Sequence, residues 1–132
     1  MSTIFTKIIN AEIKAHIVAE DQNYLAFLDV RPVVRGHVLC IPKIEVDYIF
    51  DMDDANYAGL MLFSKKVALG LKQVVECKKI GVSVVGLEVP HAHVHLIPMN
   101  TISDMNFSNE RIVLSDEEFK SLASEIKSKI SL

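Results

Sequence analysis

Residues 90–98 read PHAHVHLIP, and this stretch decides the predicted fold. Imidazole side chains alternate with apolar ones, which is the period of a β-strand. A strand here would place His91, His93 and His95 on one face, each about 7 Å from the next. The apolar residues that alternate with them would face the opposite way, into a core: Ala92, Val94 and Leu96. A solvated face does not require imidazole at every position, so the stretch indicates a functional site as well as a core strand.

Histidine is the side chain whose unperturbed pKa lies nearest to neutrality, so a row of three can attack, donate protons and stabilise charge. A neutral imidazole can attack phosphorus and form a phosphoramidate, which water or another acceptor then breaks. In this interpretation His93 attacks and His91 orients it or shuttles protons. His95 and His37 donate to the phosphoryl oxygens, which gain charge in the transition state. His37 belongs to the set because it opens a short strand directly after Gly36.

The same histidines could instead bind zinc, for which imidazole is a common ligand. Glu88 is the one acidic or thiol side chain beside them at a typical ligand spacing, and this low ligand count disfavours a metal. We therefore predict a site without a metal or another cofactor, and keep a zinc-dependent hydrolase as an alternative.

Composition narrows the class of protein. The chain has 132 residues, a net charge of −3 and 50% hydrophobic residues. This length suits one domain, 1–132, and the absence of a basic block argues against nucleic acid or an anionic membrane as partner. We expect a cytoplasmic protein, because we find no leader-like start and no apolar run long enough to span a bilayer. Cys40 and Cys77 are predicted to be reduced thiols.

Periodicity predicts an α+β domain with an antiparallel sheet of about five strands, one long helix and short terminal helices. Ser115 and Glu118 form a capping box that opens the closing helix. Gly70 lies inside the long helix and indicates close packing there. The predicted strands are 16–20, 24–28, 37–42, 80–85 and the histidine stretch; the helices are 4–9, 54–76 and one running from 115 to about 130; residues 100–114 are predicted to be an extended arm.

These residues resemble the histidine triad (HIT) family. HAHVH at 91–95 is similar to that family's His-x-His-x-His motif. IFTKII at 4–9, AFLDV at 26–30 and GHVLCIPK at 36–43 are similar to three further family segments. The resemblance covers roughly residues 3–98 in the right order, so chance similarity is very improbable.

The resemblance implies a HIT-like fold and a homodimeric nucleotide hydrolase or transferase that acts at the α-phosphate of purine nucleotide derivatives without a metal. It implies that His93 forms a covalent nucleotidyl intermediate and that His91, His95 and His37 support it. It also implies that Asp29 binds the ribose. The implied base-pocket positions are Phe5, Ile8, Phe27, Leu28 and Val30. Independently of the resemblance, we also predict Glu88 beside the nucleotide, where its charge would repel a phosphate dianion and favour a substrate with few charges.

One segment departs from the family pattern. Relatives carry a polar Asn/Gly-rich loop that ends in Ala-Gly-Gln before the histidines, whereas this chain has VVGLEVP at 84–90. Leu87 stands where Gln is usual, and Met99 where many relatives have Arg. We expect a more open phosphate site in which the arm at 100–114 or a partner subunit fills the gap. A purine nucleotide-binding protein with weak catalysis is the alternative function.

Overall fold

The computed structural model describes residues 3–132 and contains a five-stranded sheet of order β1-β2-β3-β5-β4, in which every neighbouring pair is antiparallel. The α+β prediction and the antiparallel sheet of five strands are therefore confirmed. The strands are β1 Ile17–Glu20, β2 Tyr24–Leu28, β3 Val38–Pro42, β4 Lys79–Ser83 and β5 Val94–Met99.

Three α-helices and two short 3-10 helices complete the described chain. Each predicted α-helix exists, and the capping box of Ser115 and Glu118 is formed. The α-helices are α1 Ile4–Ile9, α2 Asp54–Val74 and α3 Asp116–Ser128, and the 3-10 helices are Ile49–Asp51 and Ile102–Met105. No helix of the described residues is long and apolar enough to cross a membrane.

The two faces of the sheet are covered differently. Helices α2 and α3 pack on one face and form the main core with the side chains that alternate towards them, among them Val94 and Leu96. The opposite face carries a smaller apolar cluster that includes Phe5 of α1 and Phe27 of β2. Ala92 also belongs to the main core, so the predicted direction of the apolar residues around the histidines is confirmed.

The prediction of one strand through all three histidines is wrong. Strand β5 begins only at Val94, so His91 and His93 precede it. The reason lies in the neighbouring strand, because the last pair between β3 and β5 is Cys40 with Val94. Beyond that pair, Ala92 N–H donates to the loop carbonyl of Val46 instead of to a strand. The ring centroids of His93 and His95 lie 4.8 Å apart.

Other boundaries also differ from the sequence prediction: β1 begins at Ile17 and β3 at Val38, so His37 precedes the strand that it was predicted to open. Helix α2 ends at Val74, strand β4 covers Lys79–Ser83, and α3 ends at Ser128. The arm is not extended throughout, because Asp104 accepts from the backbone N–H of Asn100 and Thr101 and closes a 3-10 turn. Cys40 and Cys77 are both free thiols, as predicted.

Candidate active site

A cavity of about 910 Å³ opens on the face of the sheet that α1 partly covers. His93 and His95 line it, whereas His37 and His91 do not and are fully buried. All the residues predicted to bind the nucleotide also line it: Phe5, Ile8, Phe27, Leu28, Asp29, Val30 and Glu88. The fold thus brings residues that are far apart in the chain, from Phe5 to His95, to one cleft.

Packing of α1 on the sheet fixes the apolar end of the cavity. The Phe5 ring stands edge-on to Phe27, with centroids 5.6 Å apart, and edge-on to His93 at 5.0 Å. Such edge-to-face contacts are the favoured geometry of aromatic pairs. Phe5 is therefore both the wall of the cavity and the support behind His93.

A chain of hydrogen bonds fixes the proton on His95. The backbone N–H of Val33 donates to His37 Nδ1 at 3.2 Å, so neutral His37 carries its proton on Nε2. That Nε2 lies 2.9 Å from His95 Nδ1 and donates to it. His95 must then carry its own proton on Nε2. Gly36, with φ of +91°, makes the tight backbone turn that presents His37 to this chain.

The opposite tautomer is set at His93. Its Nδ1 lies 2.7 Å from the backbone oxygen of His91 and can only donate to it, which leaves the Nε2 lone pair open. His91 is itself held by donation from its Nε2 to the Pro42 carbonyl at 2.8 Å. His91 Nδ1 is buried and has no hydrogen-bond partner in the described part of the chain.

Burial lowers the pKa of His37, His93 and His95 and so keeps these three imidazoles neutral. The pKa of His37 is lowered to about 3, mainly by burial and in smaller part by the neighbouring His95, Arg111 and His93. Burial, with His93 and Arg111, lowers the pKa of His95 to about 4. Burial also lowers the pKa of His93, and its hydrogen bond to the His91 carbonyl offsets part of this decrease. At neutral pH the cavity therefore holds a neutral imidazole with a free lone pair beside a neutral N–H donor.

Asp29 follows β2 and faces the same cleft. Its Oδ1 accepts from the backbone N–H of Arg31 at 2.8 Å, and its Oδ2 lies 3.8 Å from His37 Nε2. Burial raises the pKa of Asp29. Asp29, His37 and His95 offer ligand atoms that all lie within 4.8 Å of one another, the distance range of a metal site. A metal ion there would have to replace the hydrogen bond between the two histidines.

Comparison with known proteins agrees with this geometry. The HIT domain family matches residues 10–102. The chain belongs to the HIT family. It is 35% identical over 133 residues to the adenosine 5'-monophosphoramidase of Schizosaccharomyces pombe, which covers 98% of this chain and 99% of that protein.

HIT proteins of known structure share the fold. The crystal structure of a HIT-like protein from Bartonella henselae superposes with a TM-score of 0.84 at 28% identity, covering 98% of this chain and 96% of that one. A zinc-bound histidine triad family protein from Mycobacterium smegmatis gives 0.82 at 25% identity, covering 97% and 94%. The resemblance inferred from the sequence motifs is thereby confirmed.

In this HIT protein the arm after β5 supplies part of the cavity wall. Phe107 packs on His95 with ring centroids 4.7 Å apart, and Arg111 lines the same cavity. The arm thus covers this side of the site. Neither residue is predicted from the sequence, because residues 100–114 show neither helical nor strand periodicity. The available signal was composition, since residues 100–114 contain one aromatic and one basic residue, Phe107 and Arg111.

Proposed function

We propose that this protein, acting as one HIT domain over residues 1–132, hydrolyses or transfers nucleotidyl groups of purine nucleoside phosphoramidates and related adenylates. One observation carries the proposal: two opposite tautomers are fixed side by side in the cavity. His93 keeps the Nε2 lone pair, while its neighbour His95 keeps the Nε2 proton. The activity in the name of the Schizosaccharomyces pombe relative supports this reaction class.

In the proposed reaction His93 Nε2 attacks the α-phosphorus. The bond from Nε2 to phosphorus forms, the bond from phosphorus to the leaving group breaks, and the leaving group takes a proton from solvent water, to which the cavity is open. His95 donates its Nε2 proton in a hydrogen bond to a phosphoryl oxygen, where negative charge develops. Water or another acceptor then attacks phosphorus and gives up its proton to solvent, the bond from Nε2 to phosphorus breaks, and His93 returns to its neutral form. His37 and His91 act behind these two as positioning residues.

The remaining cavity fits a nucleoside. The apolar end formed by Phe5, Ile8 and Phe27 can hold a purine ring through apolar contacts, with few hydrogen bonds to the base. Asp29 lies between this end and the histidines, where its carboxylate can accept hydrogen bonds from both sugar hydroxyls. Glu88 is exposed at the cavity, and its charge acts on His93. We place it beside the leaving group, where it disfavours a highly anionic one.

Intact-protein mass spectrometry tests the covalent step. Wild-type protein is mixed with adenosine phosphoramidate and quenched without acid, since phosphoramidates are acid-labile. We expect an added AMP mass on the wild type and on H16A, a matched variant of a histidine outside the cavity, but none on H93A. An adduct that persists on H93A would overturn the assignment of His93.

Two alternatives give different results. A nucleotide-binding protein without catalysis would bind AMP in calorimetry, yet show neither adduct nor turnover. A zinc-dependent hydrolase is favoured by the Asp29, His37 and His95 cluster. It would contain stoichiometric metal and lose turnover with a chelator. Full activity in metal-free protein would exclude it.

We further propose a homodimer formed through β4 and α2. Strand β4 is an edge of the sheet, and an edge strand has backbone groups available to a further strand. Large apolar side chains are exposed on these two elements: Leu62 at 60%, Leu69 at 61% and Val82 at 52%. A second copy would bury both features.

Light scattering tests the dimer. The wild type should give twice the 14.8 kDa chain mass, and L69K should give the monomer mass. V113K, which changes an exposed residue outside both elements, is the control and should remain a dimer. A wild-type monomer at micromolar concentration would contradict this.

A further inference from the structure

The arm between β5 and α3 is attached over the histidine end of the cavity. Phe107 covers His95 and lies 6.2 Å from the His37 ring. Further along, the backbone N–H of Ile112 donates to the Pro32 carbonyl at 2.9 Å. These contacts hold the segment between Phe107 and Ile112 beside the loop that carries Asp29.

Arg111 lies in that segment with its guanidinium held in place. Its Nη1 donates to the Arg31 carbonyl at 2.8 Å and its Nη2 to the Phe107 carbonyl at 3.3 Å. Its Cζ also lies 6.0 Å from the centroid of the Phe107 ring. A guanidinium has five N–H donors, so these two bonds leave three for a ligand.

The charge of Arg111 acts on Asp29, but within the described residues Arg111 forms no ion pair at contact distance. Arg111 is half-buried. Lys14 and Arg31 also line the cavity, but Arg111 is the cation whose charge lowers the pKa of both His37 and His95. A positioned guanidinium with free donors beside the histidines is suited to an oxyanion of phosphorus.

We propose that Arg111 binds the α-phosphoryl group of the nucleotide and takes the place of the Asn/Gly-rich loop that this chain lacks. The proposal rests on the proposed function, because it assigns a residue to the phosphate of the same nucleotide. It also gives the arm a role beyond covering the cavity. Leu87 and Met99 stand where relatives usually have polar or basic residues, and the arm supplies a cation, Arg111, in their place.

Calorimetry with AMP and with adenosine tests this proposal, since the two ligands differ only in the phosphate. We expect R111Q to weaken AMP binding about 10- to 100-fold, the range for a lost charged hydrogen bond, and to leave adenosine binding within about 2-fold. R35Q removes the same charge from an exposed arginine outside the cavity and should change neither affinity. R111K keeps the charge without the planar fork, and its AMP affinity should fall between wild type and R111Q.

Two results for R111Q would contradict a role of Arg111 in phosphate binding. Unchanged AMP affinity in R111Q overturns the proposal, and so does an equal loss for AMP and adenosine, which would show that Arg111 only holds the arm. If R111Q does not fold, R111K decides: weaker AMP binding with unchanged adenosine binding supports the proposal, and equal affinities overturn it. Failure of the proposed function would instead appear in the wild type, as absence of AMP binding or of turnover.

Discussion

The Nε2 atom of His37 lies 2.9 Å from the Nδ1 atom of His95, and both rings are buried. His37 directly precedes β3, His95 lies in β5, and the two residues are 58 positions apart in the chain. Because the Val33 backbone N–H occupies the other nitrogen of His37, the direction of the whole chain of bonds is fixed. A backbone amide of a loop thus determines which proton His95 presents to the cavity.

Replacing His37 should therefore impair catalysis although His37 does not line the cavity, because it acts through His95. In H37N the shorter amide cannot span from Val33 to His95, so the His95 tautomer is no longer fixed. We expect turnover of adenosine phosphoramidate to fall about 10- to 100-fold, because proton donation by a positioned group is lost in part. Urea unfolding should show a loss of about 1–3 kcal/mol from unpaired buried groups. H16N, which changes a histidine outside the cavity, is the control. Turnover at the wild-type rate in H37N would show that the hydrogen bonds from Val33 through His37 to His95 do not support catalysis.

Acid should destabilise the fold through the same pair. The folded-state pKa values, about 3 for His37 and about 4 for His95, lie below the unfolded value of 6.5. The unfolded chain therefore binds more protons as the pH falls below 6.5, and stability is lost between there and the folded values, while it is fully present above 6.5. We expect urea unfolding to show about 2–4 kcal/mol less stability near pH 5 than near pH 7. Constant stability across that range would contradict the neutral burial of both rings.

Catalysis should stay active into mildly acid solution. The lowered pKa of His93 keeps its Nε2 lone pair available below the pH at which a free histidine protonates. The pH profile of kcat/KM should be flat around neutrality and fall only on the acid side of the ordinary histidine pKa, which is about 6.5. A fall centred at or above that value would show that His93 is not the titrating nucleophile in this environment.

Phe107 should hold the pKa of His95 down by excluding water. In F107A the ring that lies 4.7 Å from His95 is removed, so water reaches the imidazole and its pKa should rise towards 6.5. Histidine proton chemical shifts followed by NMR through a pH titration measure this change. F50A removes a phenylalanine that is 68% exposed and should leave the His95 titration unchanged. An unshifted His95 in F107A would show that the arm does not cover the site in solution.

Gly70 should resist substitution although it lies inside a helix. A Cβ there would come within 2.6 Å of Ile130 Cγ1 and 2.9 Å of the Lys129 carbonyl oxygen. Alanine favours a helix by about 1 kcal/mol over glycine, yet the backbone carbonyl cannot move cheaply, so G70A should be net destabilising by about 1–3 kcal/mol. Thermal or urea unfolding measures this. K65A, at an exposed position of the same helix, should change stability by less than about 0.5 kcal/mol, and a stabilised G70A would contradict the close packing.

Local pattern was enough for most of the fold. The helical stripe of α2, the hairpin of β1 and β2 and the capping box of α3 were all predictable, because period and capping depend on neighbours a few residues away. The strand through 90–98 was predicted too long for a related reason. Alternation describes which side chains share a face, but a strand also needs a partner, and β3 provides none before Val94.

The sequence by itself determined the histidine set, the apolar residues behind it and the family. Those are properties of residue type and spacing; in the structure His93 and His95 line the cavity, and the apolar residues that alternate with the histidines enter the main core. Only the tertiary structure decided the tautomers of His93 and His95 and the entry of Phe107 and Arg111 into the site. Tautomers depend on which backbone group lies opposite each ring nitrogen, and the arm reaches the cavity through bonds to carbonyls 80 residues earlier in the chain. No local pattern encodes contacts over that separation.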